Sequence, residues 1–270
     1  MRKRLTATCM LIVMLITSAS FIVGFNTSPH YKDEIENLKK IKEGATQFYD
    51  ELEKINNSIN FNTMENVDSQ ITEMNTVLQK IEADKKAIAA FKKTGVNAID
   101  LTYDAAIEFD NQLTDFTNDI IKYLKIFQYL FDTLSIADQM NTQNMTEETI
   151  VQTLEDIYTS FEQIINNLEA LDCPVAMKSR LDVFTRKLKD YQLVIVQLYR
   201  GYSKNDFLTL QQATYLMTRV EKEYNNAMDD FVNSFDISFQ NVLSQSNEID
   251  VLKDEILKNT DTLLGLMEGK

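Results

Sequence analysis

Six glycines and two prolines in 270 residues leave a chain with few means of turning sharply. Average usage puts Gly plus Pro near about 12% of a globular sequence, several times what stands here. Sandwiches, propellers and doubly wound α/β folds consume turn residues at nearly every strand end. Scarcity on this scale predicts long, uninterrupted helices.

The apolar residues agree, because they recur at alternating spacings of three and four, the pattern of helices packed along a seam. Leu38, Ile41, Ala45, Phe48, Leu52, Ile55 and Ile59 keep that rhythm, as do Val67, Ile71, Met74, Leu78, Ile81 and Ile88, with Lys85 taking one seam position. A turn near Asn60 to Thr63 would separate these two helices, and Gly95 would close the second, with Lys92 and Lys93 in its last turn. A third helix is expected from about Val96 to Ala137, its seam passing through Ile99, Tyr103, Ala106, Leu113, Ile120, Leu124, Phe127, Phe131 and Leu134. Its stretch from Ile120 to Ile136 is apolar nearly all round, which fits a central bundle helix or, in a sharper reading, a membrane-inserting hairpin or a partner-binding face.

After a polar loop, with Thr146 as a cap, come four further seams. These run from Ile150 to Leu171, from Met177 to Tyr202 with Gly201 helping to end the helix, from Leu210 to Phe231, and from Ile249 to Leu266. The expectation is an all-α protein: antiparallel coiled-coil-like bundles of about seven helices after an N-terminal hydrophobic helix. Residues 1–28 would be a signal peptide or membrane anchor, 29–138 a first bundle segment of three helices, 139–149 a linker, and 150–270 a second segment of three to four.

The N-terminal segment bears on compartment. Arg2, Lys3 and Arg4 precede 21 uncharged residues, Leu5 to Phe25, which as a helix would reach roughly 31 Å, enough to cross a bilayer. Leu5, Leu11, Ile12, Val13, Leu15, Ile16, Phe21, Ile22, Val23 and Phe25 supply its apolar surface. Thr17-Ser18-Ala19 has the small-residue character of a cleavage site, so a secretory signal and an uncleaved anchor both fit. The anchor is favoured because cleavage would leave Phe21 to Phe25 as an exposed apolar terminus. In either case the basic cluster stays cytoplasmic and the rest is exported. Cys9 lies too early in the apolar stretch to be a lipid-attachment site. Cys173, then the one cysteine of the exported part, is expected to be a buried apolar residue.

Setting aside Arg2, Lys3 and Arg4 makes the remainder three charges more negative than the formal −14, a poor surface for nucleic acid and for anionic lipid headgroups. Residues 141–172 carry acids and no base, whereas Lys178, Arg180, Arg186, Lys187, Lys189 and Arg200 follow. Likewise Lys85, Lys86, Lys92 and Lys93 precede Asp100, Asp104 and Glu108. Folding each pair into a hairpin would match opposite charges across the groove. The stripe Asp100, Asp104, Glu108 could in principle hold a divalent cation; without convergent ligands, salt bridges explain it better.

No phosphate-cradling glycine loop or nitrogen–sulfur metal set is visible, and His30 is the one histidine. No catalytic residue, metal or cofactor is therefore expected. The segment Leu171-Asp172-Cys173-Pro174, with the turn Gly201-Tyr202-Ser203-Lys204-Asn205-Asp206 between two helices, resembles small exported helical-bundle proteins of Gram-positive bacteria. That resemblance covers roughly residues 147–243 and implies a cell-envelope location, with no catalytic residue to carry over. Lipoprotein members of that group have a lipid-attachment Cys after the apolar stretch, and this chain lacks one. The expected role is a membrane-anchored, extracytoplasmic structural or protein-interaction module that meets an envelope protein or another copy of itself. The alternatives are a sensory or ligand-binding bundle and a membrane-active protein.

Overall fold

The computed structural model describes residues 31–59, 66–139, 146 and 149–268. Among them run seven helices and no strand: α1 (Lys32–Ser58), α2 (Val67–Ala89), α3 (Asn97–Gln139), α4 (Ile150–Ala170), α5 (Val175–Lys204), α6 (Phe207–Leu243) and α7 (Ser246–Glu268). Arg2, Lys3, Arg4, the apolar stretch from Leu5 to Phe25, His30, the expected turn at Asn60 to Thr63 and most of the 139–149 linker lie outside the described residues. No described helix is long and apolar enough to cross a membrane.

The helices gather into two compact units whose limits do not follow the segments 29–138 and 150–270. One unit takes α1, α2, α3 up to Asn118, and α7; the other takes α3 from Asp119 with α4, α5 and α6. The physical reason is that α7 returns to α1. Lys42 meets Asp261 at 2.6 Å, Lys39 meets Glu268 at 2.9 Å, and the Lys253 ammonium lies 3.8 Å above the Tyr49 ring. These positions rise along α1 as they fall along α7, so the two helices run antiparallel.

Seam burial supplies the folding energy of each unit, at about 25 cal/mol per Å² of apolar surface. In the first unit Leu38, Ile41, Met74, Ile81, Ile99, Leu113 and Ile256 are fully enclosed. In the second, an aromatic column does similar work. Phe184 stacks on Phe231 at 5.2 Å and Tyr191 on Tyr224 at 5.1 Å, Phe161 meets Tyr191 edge-on at 5.8 Å, and Tyr123 meets Phe235 edge-on at 5.4 Å. Ring pairs of this kind add about 0.5–1.5 kcal/mol beyond area burial. Ile120, Tyr123, Leu124, Ile126, Leu130 and Ile136 are buried, so this stretch of α3 is core.

The Tyr224 hydroxyl is enclosed in that column with no hydrogen-bond partner among the described residues, and burial raises its pKa. An enclosed polar group without a partner costs about 1–3 kcal/mol. Tyr224→Phe is accordingly expected to stabilise the protein by about 1 kcal/mol, read as a rise of a few degrees in thermal unfolding. A fall would show that the hydroxyl is hydrogen-bonded.

Several seams are shifted from their sequence expectation. On α2 the buried positions are Val67, Gln70, Met74, Val77, Ile81 and Ile88, while Ile71 and Leu78 are half-buried. Gln70 can be enclosed because its amide donates to the Ser58 carbonyl at 2.9 Å and to the Ser58 hydroxyl at 3.1 Å. On α3, Leu130 is buried and Phe131 is 39% exposed; on α7, Met267 is buried and Leu266 is exposed.

Three expected helix boundaries also move. α2 stops at Ala89, so Gly95, at φ +75°, closes the connecting turn rather than the helix, and Lys92 and Lys93 lie beyond the last helical turn. Thr149 rather than Thr146 stands at the start of α4; its hydroxyl accepts from the Thr146 N–H at 3.1 Å. α5 continues past Gly201 to Lys204.

Charge matching across hairpins is present in part. Lys189 pairs with Glu169 at 2.5 Å between α5 and α4, and Lys93 with Asp104 at 2.5 Å between the α2–α3 turn and α3. Lys187 instead reaches Glu223 on α6 at 2.6 Å. Exposed pairs contribute only about 0–1 kcal/mol each, so they select neighbours more than they stabilise.

Candidate functional site

The turn between α5 and α6 is built by three devices. Asn205 adopts the left-handed conformation at φ 51°, its N–H donating to the Tyr202 carbonyl, and the Asp206 N–H donates to the Gly201 carbonyl at 2.8 Å. Together these form a Schellman closure of α5. Asp206 then caps α6, accepting from the N–H groups of Leu208 at 3.1 Å and Thr209 at 3.2 Å and from the Thr209 hydroxyl at 2.7 Å. Those bonds, the Thr209 hydroxyl foremost, hold its carboxyl below the usual range. Gly201 lets the helices close, since a Cβ there would fall 2.6 Å from Leu210 Cδ2.

This fixed turn displays apolar side chains to solvent. Phe207 is 78% exposed, Leu208 63% and Tyr215 83%, with Tyr202 exposed beside them. Leu208 and Tyr215 are seven residues apart and so share one α6 face. Between residues 191 and 218 the charged side chains are Arg200, Lys204 and Asp206. Clustered exposed apolar surface on a well-held element marks a contact surface more often than chance exposure does.

A second feature is a groove of about 510 Å³ at the α4–α5 junction, floored by Leu168, Leu171 and Leu181. Its rim carries Glu169, Asp172 and Asp182 against Lys178, Arg186 and Lys189, so charge is compensated within the groove. Lys122 also meets Asp172, at 3.1 Å. Cys173 is half-buried rather than enclosed, its thiol donating to the Pro174 carbonyl at 3.5 Å. Burial first, then Asp182 and Asp172, push the thiol pKa up to about 11. A thiol held protonated is a poor nucleophile and metal ligand.

The third feature is a polar layer in the first unit. Asp110 on α3 is 2% exposed and its Oδ2 finds no hydrogen-bond partner among the described residues. Burial, then the Asp84 carboxylate and Glu82, push its pKa up to about 8 against the opposing pull of Lys85. Burial raises Asp84 as well. Gly44 of α1 makes room, since a Cβ there would sit 2.7 Å from Asp84 Oδ2. This layer is a place where charge is disfavoured, and no group of three or more metal-ligating side chains gathers among the described residues.

The stripe Asp100, Asp104, Glu108 is divided among structural tasks. Asp100 accepts from the N–H of Thr94 at 2.8 Å and of Gly95 at 3.1 Å, fixing the α2–α3 turn, and Asp104 pairs with Lys93. The membrane-anchor and topology residues proposed from sequence lie outside the described part. Sequence reading placed Tyr202 in a buried seam and did not single out Phe207, Leu208 or Tyr215. Two adjacent apolar residues straight after an Asn-Asp cap were the available signal. Neither a protein-family model, nor a curated protein, nor a solved structure matches the chain.

Proposed function

We propose that this protein is a membrane-tethered, extracytoplasmic helical module that works by contact, as a structural or protein-interaction element of the cell envelope, rather than by catalysis in a pocket. The N-terminal apolar segment after Arg2, Lys3 and Arg4 would hold it at the membrane. The observation that carries the contact reading is the α5–α6 turn, where an over-determined backbone displays Phe207, Leu208 and Tyr215 to solvent. Ordering such a surface in advance lowers the entropy cost of binding.

The test is in-cell photocrosslinking with benzoylphenylalanine at Phe207, with Val175, 92% exposed at the opposite end of α5, as the control position. Adducts at 207 and not at 175 are expected. Equal labelling at both positions, or neither a protein nor a lipid adduct at either, would remove the contact reading.

A further inference from the structure

In the turn joining α5 and α6, residues 202–208 are all exposed, so a partner can reach the whole of it. Its chemistry narrows the choice. Phe207 and Leu208 supply apolar bulk at the very start of α6, Tyr202 and Tyr215 present rings with a polar end, and Arg200 and Lys204 are exposed cations at the end of α5. The one acid in the stretch, Asp206, has its oxygens taken up by the first-turn N–H groups of α6 and the Thr209 hydroxyl. Those bonds keep Asp206 ionised, so Arg200 and Lys204 against it leave the aromatic tip with a net positive charge on a chain of formal charge −14. Interfacial Tyr and Phe, with Lys and Arg reaching to phosphates, are the composition of elements that sit in a bilayer headgroup layer.

We infer that the α5–α6 tip docks against an anionic lipid surface, seating Phe207 and Leu208 among the headgroups with Arg200 and Lys204 on lipid phosphates. This rests on reading the tip as a contact surface and names what it meets. The charge complementarity is local: the chain as a whole is acidic, and near the opposite end of α5 the exposed Lys178 and Arg180 are offset by the exposed Asp172 and Asp182, so the tip enters first and that end stays in water. From Val175 to Lys204, α5 rises about 44 Å at 1.5 Å per residue, which makes the two ends separable by a depth probe.

The test uses the full chain, with Cys9→Ser and Cys173→Ser, reconstituted into vesicles of phosphatidylcholine alone or with phosphatidylglycerol. An environment-sensitive nitrobenzoxadiazole label is placed at Leu208→Cys or, as control, at Val175→Cys. In phosphatidylglycerol vesicles the 208 label should blue-shift and be quenched by brominated lipid, and in neutral vesicles it should not. Arg200→Glu and Lys204→Glu should each weaken that signal at least fivefold, since each removed cation alone accounts for about a fivefold change. Unchanged thermal unfolding of these variants would show that folding is intact.

A 208 label that stays aqueous on anionic vesicles, or a 175 label quenched as strongly, overturns lipid docking. Should the 208 label stay aqueous while Phe207 crosslinks a protein in cells, the contact reading survives and its partner is proteinaceous. Should both signals be absent, neither statement stands.

Discussion

Asp110→Asn is expected to make the first unit more stable at pH 8, by on the order of 2–4 kcal/mol, and to leave it nearly unchanged at about pH 4. The wild-type carboxyl is enclosed, unpartnered at Oδ2 and beside Asp84, which is why its pKa is pushed up to about 8 from an ordinary value of 3.8. Between those two values the folded state holds a proton that the unfolded state has released. Stability therefore falls as pH rises across this window, and the full cost is present above about pH 8. Each unit of pKa displacement corresponds to about 1.4 kcal/mol, and relaxation around the charge takes the realised effect below the simple product. An amide keeps the shape and removes the charge. Thermal unfolding followed by circular dichroism from about pH 4 to 9 should show two curves that meet in acid and diverge towards alkali. Parallel curves, or an Asn variant less stable at pH 8, would mean that the carboxylate is stabilised in the fold.

Phe184→Ala should be the most damaging single truncation in the second unit. Its ring is fully enclosed, stacked on Phe231 at 5.2 Å with Tyr224 at 6.0 Å. Removing it deletes transfer energy and leaves a void between α5 and α6, for a loss of about 3–5 kcal/mol. Val183→Ala, one residue away on a 40% exposed position, should change stability by no more than about 0.5 kcal/mol. The comparison is read as denaturant midpoints at constant slope. Equal midpoints for the two variants would show that the column does not hold the unit together.

The helices were legible in the sequence because heptad spacing and the shortage of turn residues act in the same direction. What polar seam residues do was less legible. The third seam skips from Ala106 to Leu113 and from Leu113 to Ile120; the missing positions are Asp110 and Thr117, both buried. Thr117 is satisfied by the Leu113 carbonyl at 2.6 Å, while Asp110 is not fully satisfied, a difference that composition cannot express. Lys85 stood out as a polar seam member, yet its role emerges only with Asp110 across from α2. Gln70 reads as a surface residue until the Ser58 acceptors are placed beside it. The tip was hidden for a related reason: Tyr202 keeps the α5 rhythm, but seam spacing does not report where a seam runs out of partners. Helix ends were misplaced where Gly served packing, as Gly201 does against Leu210, instead of stopping the helix.

The pairing of α1 with α7 bears on how the molecule assembles. The second unit is almost contiguous in the chain, whereas the first needs a helix made only after the whole of the second. As the polypeptide emerges, α1, α2 and the start of α3 have no α7 to cover them, and the middle of the chain can close before its flanks do. Released chains truncated at residue 243 would therefore carry a finished second unit and an open, sticky first one, the form that quality-control proteases and holdases would meet.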